Sequence, residues 1–295
     1  PDISLEEDLS RRDLTINAIA EDEDGNLIDP YGGRDDLNNR VLRHVSEAFR
    51  EDPLRVLRIA RFKAKLSQFD FIIADETINL VQNLVGSGEL SSLVPERTWL
   101  ETEKVFKADN FNEYFITLIN LNAFNQIYPD LKDLDSEFFS SHLILESAKQ
   151  DYSPEIRFAS IFYSLLKRGE KDIKNRIEAM QENMRFANSY KRLPIMLNNS
   201  LALIEEDTSK FTADHQLRII ESIDAIRNPE NLDQISQLIM LDHSSDFTQK
   251  LAVLQKSLDH AKNIKINNLD ESKLAGNEIA KHIRELRLKA IESNQ

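Results

Sequence analysis

A chain of 295 residues with 41% hydrophobic and 30% charged side chains has the composition of a packed globular protein, which excludes disordered and fibrous classes and leaves room for one large domain or two to three smaller ones. The lack of cysteine excludes disulfides, thiolate zinc sites and cysteine nucleophiles, and no apolar stretch approaches the roughly 20 residues that span a bilayer, so a cytoplasmic protein is expected. A formal charge of -14 excludes bulk attraction to phosphate backbones. The acidic excess turns over only in residues 246–295, where 9 Lys/Arg face 7 Asp/Glu, so any nucleic-acid contact must use local patches.

From the N-terminus, Leu14 to Ala20 alternates as a strand should, an acidic turn ends in Asp24-Gly25-Asn26, and Leu27-Ile28-Asp29 returns, which predicts a β-hairpin. Next, Asp29-Pro30-Tyr31-Gly32-Gly33-Arg34-Asp35-Asp36-Leu37 reads as a loop that can bend, with a helix starting at Asp35 or Asp36. Beyond about residue 46 the apolar spacing is helical through Pro53–Leu66, Asp75–Val85, Pro95–Phe106, Pro154–Leu166, Leu217–Ile226 and Asn277–Ile291. Breaks fall near Pro129, where Asp130 to Asp135 is acidic and turn-like, and near Asp242–Asp246. The expected fold class is therefore mostly α, with a small β-containing part at 1–66 followed by all-helical segments at 67–130, 131–245 and 246–295.

Two runs of residues carry chemistry. Arg11-Arg12-Asp13-Leu14-Thr15-Ile16-Asn17-Ala18 sets two guanidinium groups, a carboxylate and an amide at a strand entrance. Arginine's planar fork suits phosphate oxygens and a carboxylate accepts from ribose hydroxyls; in isolation the same run is an ordinary solvated turn. In Glu51-Asp52-Pro53-Leu54-Arg55-Val56-Leu57-Arg58-Ile59-Ala60-Arg61-Phe62, Asp52 reads as an N-cap and Pro53 as the first helical residue. Projected on that helix, Arg55 falls among Ile59, Phe62 and Leu66, whereas Arg58, Arg61 and Lys65 share a polar flank. A guanidinium among apolar neighbours needs a partner: an ion pair with Asp52 three residues earlier, or a ligand in a cleft.

In this order and closeness, Arg-Arg-Asp-x-x-x-Asn-Ala, Asp-x-x-Gly-Gly-x-x-Asp-Leu and Glu-Asp-x-x-Arg resemble motifs B, C and D of the bacterial class II CCA-adding tRNA nucleotidyltransferases. Leu42-Arg43-His44-Val45-Ser46 and Pro95-Glu96-Arg97 to Glu101, the latter as motif E, fit the bacterial form, and the likeness extends more weakly to Gly276–Ile291. The resemblance implies a nucleotidyltransferase head at 1–66, then helical neck, body and tail, with CTP and ATP as substrates, Mg2+ as cofactor and tRNA as partner. It implies that Arg12 binds phosphates, Asp13 a ribose hydroxyl and Asn17 the nucleotide or metal region, that Asp52 and Arg55 template the base, and that Arg58 and Arg61 complete the site. Asp29, Gly32, Gly33 and Asp36 would form the flexible loop that helps to switch from CTP to ATP. The template has a chemical basis: cytosine and adenine each present an amino donor beside a ring-nitrogen acceptor, a pair that uracil and guanine reverse.

The family's motif A, a glycine loop followed by a magnesium-binding Asp-x-Asp, has no match. Asp22-Glu23-Asp24 has the spacing but sits at a predicted hairpin tip and reads as a solvated turn. The expectation is an N-terminally truncated or split enzyme, inactive alone; a bacterial poly(A) polymerase and a non-catalytic RNA-binding fragment are the competing readings. Some relatives carry a phosphohydrolase domain after the neck, and here Tyr163-Ser164 stands where its His-Asp pair would fall, with His142 the residue that remains of it. His215, His243, His260 and His282 show no ligand spacing, so no metal site is expected in this chain.

Overall fold

Side chains claim the backbone near the start of the chain before a long strand can form there. In the computed structural model, which describes residues 4–242, 245–264 and 276–293, the Asp13 carboxylate accepts the Leu14 N–H at 2.9 Å and the Asn17 side-chain amide at 3.1 Å. The Thr15 N–H donates to the Arg43 carbonyl and its hydroxyl to Asp36. The predicted strand from Leu14 to Ala20 is thus replaced by a single bridge from Leu14 to His44 and a 3-10 turn over Thr15–Asn17, because local side-chain acceptors outcompete a ladder. The hairpin survives in shortened form. Following α1 (Leu5–Ser10), β1 (Ala20–Glu21) pairs antiparallel with β2 (Leu27–Ile28), and Gly25 at φ +83° closes the turn.

Helix α2 (Gly33–Asn39) starts two to three residues earlier than predicted, because Asp29 accepts the N–H groups of Gly33 and Arg34 and so takes up donors of the first turn. It ends on Arg40 in the left-handed conformation and leads into β3 (Val41–Leu42). Helix α3 (Arg55–Lys65) follows, and β4 (Ile72–Ile73) returns parallel to β3. Asp52 does not serve as the N-cap of α3. It forms a preceding turn, its side chain accepting the Leu54 N–H and its carbonyl the Arg55 N–H, so the helix begins two residues after Pro53.

From there the chain is helical, as the apolar spacing predicts. Helices α4 (Asp75–Ser87) and α5 (Pro95–Phe106) carry acidic residues in their first turns, and α5 has proline at its first position. Helices α6 (Phe111–Asn120), α7 (Phe124–Ile127), α8 (Ser136–Phe139) and α9 (His142–Lys149) follow, separated near residue 129 by the short turn Pro129–Leu131. Then come α10 (Pro154–Lys167), α11 (Ile173–Met184), α12 (Asn188–Glu205), α13 (Ala213–Ser222), α14 (Glu230–Ile239), α15 (Ser245–Lys262) and α16 (Gly276–Glu292). The helix predicted over Leu217–Ile226 starts and stops earlier, and Asp224 takes a positive φ where it was expected to continue. His243 and the middle of the predicted break at Asp242–Asp246 lie outside the described residues.

The chain forms two compact units, Pro1–Arg157 with Glu178–Ala187, and Phe158–Ile177 with Asn188–Gln295. In the first, α3 packs on α5 and α6, with Val56, Leu57, Ile59 and Ala60 fully buried. Behind them lies an aromatic cluster in which Phe115 stacks on Phe139 at 4.6 Å. In the second, Ala213, Leu217, Ala261 and Ile291 bring α13, α15 and α16 together. Buried Lys250 donates to the Ile204 and Glu206 carbonyls at the end of α12, where α-helices leave acceptors unpaired.

Candidate functional site

The start of α3 and the turn at Arg11–Asn17 enclose a cavity of about 540 Å3. Of the residues singled out in the sequence, Arg12, Asp13, Asn17, Asp52, Arg55 and Arg58 line it, although they come from segments about forty residues apart. Arg61 is not among the lining residues: its guanidinium donates to Glu101 at 2.8 Å and lies over the Phe62 ring. Asp29, Gly32, Gly33 and Asp36 also lie away from the lining. Arg11, Leu54, Phe62 and Arg97 complete it without having been assigned a place in the site. Arg11 was signalled by its neighbour Arg12, and Arg97 by the segment Pro95 to Glu101. That α5 lies along the base of α3 was not readable from the linear sequence.

Asp13 anchors the site. It is 5% exposed, and the Nε and Nη2 of Arg58 both reach its Oδ2 at 2.7 Å while Leu14 and Asn17 hold Oδ1. Burial pushes its carboxyl upward, but the Asn17 amide, the Arg58 charge and the Leu14 N–H outweigh that and hold it below the usual carboxylate range. Asp13 is therefore ionised at neutral pH, and Arg58 is fixed over it.

Arg55 resolves differently from either expected partner. It makes no ion pair with Asp52; Nη1 donates to the Ala48 carbonyl at 2.7 Å and Nη2 to the Arg11 carbonyl at 2.6 Å, with the guanidinium 5.9 Å from the Phe49 ring centre. A guanidinium has five N–H donors, so two carbonyl bonds orient the group and leave donors for a ligand, with its charge uncompensated. Asp52 accepts the Leu54 N–H at Oδ1 and the Arg97 Nη2 at Oδ2, at 3.2 and 2.9 Å. Arg12 is half exposed and pairs with Asp8. Five arginines and two aspartates thus surround one cavity, a cationic patch within an acidic chain.

The glycine pair is built into the same unit. A Cβ on Gly33 would meet the Thr15 carbonyl oxygen at 2.1 Å, so only glycine allows α2 to press against the Thr15–Asn17 turn. Gly32 sits at φ +71°, and Asp36 joins the Thr15 hydroxyl to Arg43, which also pairs with Glu76. The segment that carries Asp29 to Asp36 is therefore tied to the Arg12–Asn17 segment by backbone contact and a carboxylate.

Among the described residues, no group of three or more His, Cys, Asp or Glu side chains is placed to hold a metal. Asp22, at the hairpin tip, accepts from the Asp24 and Asn26 N–H groups and the Asn26 side chain, as a solvated turn requires. The described carboxylates are not grouped as a two-metal site requires. Tyr163 and Ser164 are buried in the second unit, with both hydroxyls unpartnered, and burial together with Asp242 and Glu205 pushes the Tyr163 hydroxyl up.

Residues 2–43 match a family model described as the poly A polymerase head domain, and residues 70–134 one described as a probable RNA and SrmB-binding site of polymerase A. The multifunctional CCA protein of Acinetobacter baumannii is 32% identical over 321 residues, an alignment covering 98% of this chain and 77% of that protein. Its counterpart in Acinetobacter baylyi is also 32% identical, over 99% of this chain and 78% of its own length. The fold is similar to that of the Bacillus stearothermophilus CCA-adding enzyme in complex with CTP, with TM-score 0.70 and 22% identity over 99% of this chain and 71% of that one. It is likewise similar to the Thermotoga maritima CCA-adding enzyme complexed with tRNA, with TM-score 0.67 and 19% identity over 99% and 70%. Identity of 32% sustained along nearly the whole chain places this protein in the family of CCA-adding tRNA nucleotidyltransferases.

Proposed function

We propose that the cavity at the start of α3 binds CTP and ATP for addition to tRNA 3′ ends, with Asp52 and Arg55 reading the base and Arg11, Arg12 and Arg58 facing the anionic and sugar portions. The observation that carries this reading is the convergence of a carboxylate and a carbonyl-oriented guanidinium in one cationic cavity. Asp52 would accept the exocyclic amino group of cytosine or adenine and Arg55 would donate to the adjacent ring nitrogen; uracil and guanine present the reverse pattern. In the reaction, the tRNA terminal hydroxyl attacks the nucleotide α-phosphorus and pyrophosphate leaves. A poly(A) polymerase would bind ATP in preference to CTP, whereas this template admits both. The proposal is tested by equilibrium binding of the four nucleotides to the purified chain: CTP and ATP should bind more tightly than UTP and GTP, and Arg55→Ala should remove most of the difference. Equal affinity for all four in the parent would refute it.

The same reading assigns 1–66 to a nucleotidyltransferase head, 67–130 to a neck, 131–245 to a body and 246–295 to a tail, in a cytoplasmic enzyme whose helical parts contact tRNA through shape and backbone. Asp29, Gly32, Gly33 and Asp36 would form the loop that adjusts the site between CTP and ATP. Incorporation in the family requires Mg2+, and three carboxylates of the first unit are already engaged: Asp22 in its turn, Asp13 by Arg58, Asp36 by Arg43. We therefore expect the isolated 295 residues to bind nucleotide without incorporating it. Magnesium-dependent incorporation by them would contradict this. Tyr163 and Ser164 offer no ligand pair, so phosphohydrolase activity is also not expected; metal-stimulated phosphatase activity abolished by His142→Ala would count against that.

A further inference from the structure

Helix α5 presents Arg97 and Glu101 one turn apart, and each reaches a charge on the α3 segment. Arg97 Nη2 donates to Asp52 at 2.9 Å, and Glu101 accepts from Arg61 Nε at 2.8 Å. The two pairs differ in setting. Glu101 and Arg61 are largely withdrawn from solvent and away from the cavity, whereas Arg97 is half exposed and lines the cavity together with Asp52. An exposed lone ion pair contributes little to stability, so folding alone gives Arg97 small reason to stand there.

We infer that Arg97 is a positioning residue for base selection, acting through Asp52. This rests on the reading of Asp52 as half of the base template. Asp52 lies in a turn before the helix and is not held by helical packing. Its carboxylate is tethered at Oδ1 by one long bond, the Leu54 N–H at 3.2 Å. With that tether alone the carboxylate can turn about its terminal torsion, which has a broad minimum. The guanidinium on Oδ2 supplies the second tether, and two tethers on opposite oxygens fix the plane in which the remaining lone pairs face the cavity. A base contact depends on that plane, because a Watson–Crick edge offers its donor and acceptor in one plane. Arg97 thus sets discrimination without itself needing to touch the base.

The test is equilibrium binding of CTP, ATP and UTP to the purified 295-residue chain, with thermal unfolding followed in parallel, for the parent, Arg97→Ala, Arg97→Lys, Glu101→Gln and Asp52→Ala. Arg97→Ala should reduce the CTP-over-UTP affinity ratio by roughly tenfold while barely moving the melting temperature. Arg97→Lys should restore part of the ratio, since an ammonium can still hold Oδ2. Glu101→Gln should lower the melting temperature and keep the ratio. If Asp52→Ala loses the ratio and Arg97→Ala keeps it, this inference is overturned and the template reading stands. Equal loss of the ratio in Glu101→Gln and Arg97→Ala would make α5 a general clamp and overturn it as well. A parental ratio in Asp52→Ala would overturn the template reading, and the role of Arg97 with it.

Discussion

Replacing Asp13 with asparagine removes one charge from the most buried carboxylate of the site and keeps its shape. In the parent, Oδ2 carries the Arg58 Nε and Nη2 at 2.7 Å and Oδ1 the Leu14 and Asn17 donors. Asparagine keeps one acceptor but turns an amide N–H toward a neighbour that only donates, so either the guanidinium or the Leu14–Asn17 pair loses its partner. A buried pair broken on one side costs about 3–5 kcal/mol. The Arg58 side chain is 36% exposed and can rehydrate, so we take about 2–3 kcal/mol as the expected loss at pH 7. The pH dependence carries a sign. Because the folded-state value of Asp13 is depressed below the ordinary 3.8, the stability it contributes is fully present above that value and is lost as pH falls through the lower folded value. Urea unfolding of parent and Asp13→Asn should therefore diverge most at pH 7 and converge as pH falls below about 4. A difference that stays constant across that range would show that packing, and not the ion pair, sets the loss, and would refute the assignment of Asp13 as a charged anchor.

Gly33→Ala should destabilise by about 1–3 kcal/mol, since its Cβ would meet backbone that cannot swing aside, and Gly32→Ala by about 1–2 kcal/mol from its positive φ. Gly86→Ala, on α4 with open space around the added methyl, should instead stabilise by about 0.5–1 kcal/mol; thermal unfolding of the three would check the ordering. Arg157→Met should cost about 2–4 kcal/mol in urea, because the buried guanidinium donates to the carbonyls of Phe106, Ala108 and Gln150 and its removal leaves the end of α5 without partners. A loss under about 0.5 kcal/mol would show that water satisfies those carbonyls.

What could be read before the structure, and what could not, follows the range of the interactions. Helices α3, α4, α5, α10 and α16 were visible in the apolar period, since amphipathic spacing is a local property. Their ends were less legible. The start of α2 is set by Asp29 four residues upstream of Gly33, and the loss of the Leu14–Ala20 strand by Arg43 and Asp36 more than twenty residues away. Six of the ten residues that line the cavity were legible as motif positions, and the cavity brings them together. Their pairings were not. Arg55 and Asp52 look like an i,i+3 ion pair in the sequence, yet tertiary structure gives Arg55 two carbonyls and gives Asp52 to Arg97.

That exchange of partners bears on how an acidic protein with a formal charge of -14 would hold the nucleotide proposed for its cavity. Of the five arginines around the cavity, Arg12, Arg58 and Arg97 each face an aspartate, so their charges are largely compensated within the chain. Arg55 is held by carbonyl dipoles, and Arg11 has no carboxylate within ion-pair distance among the described residues. The arginines without an ion-pair partner are thus two neighbours, Arg55 and Arg11, the first gripping the backbone of the second, and the charge of Arg11 is partly met by Glu7. Had Arg55 paired with Asp52 as its spacing suggests, its charge would be compensated within the chain and Arg97 would be the arginine left without that carboxylate. Holding an arginine by carbonyls keeps it oriented and charged at once, and in a chain whose net charge repels phosphate, that arrangement allows a local patch to act against the bulk.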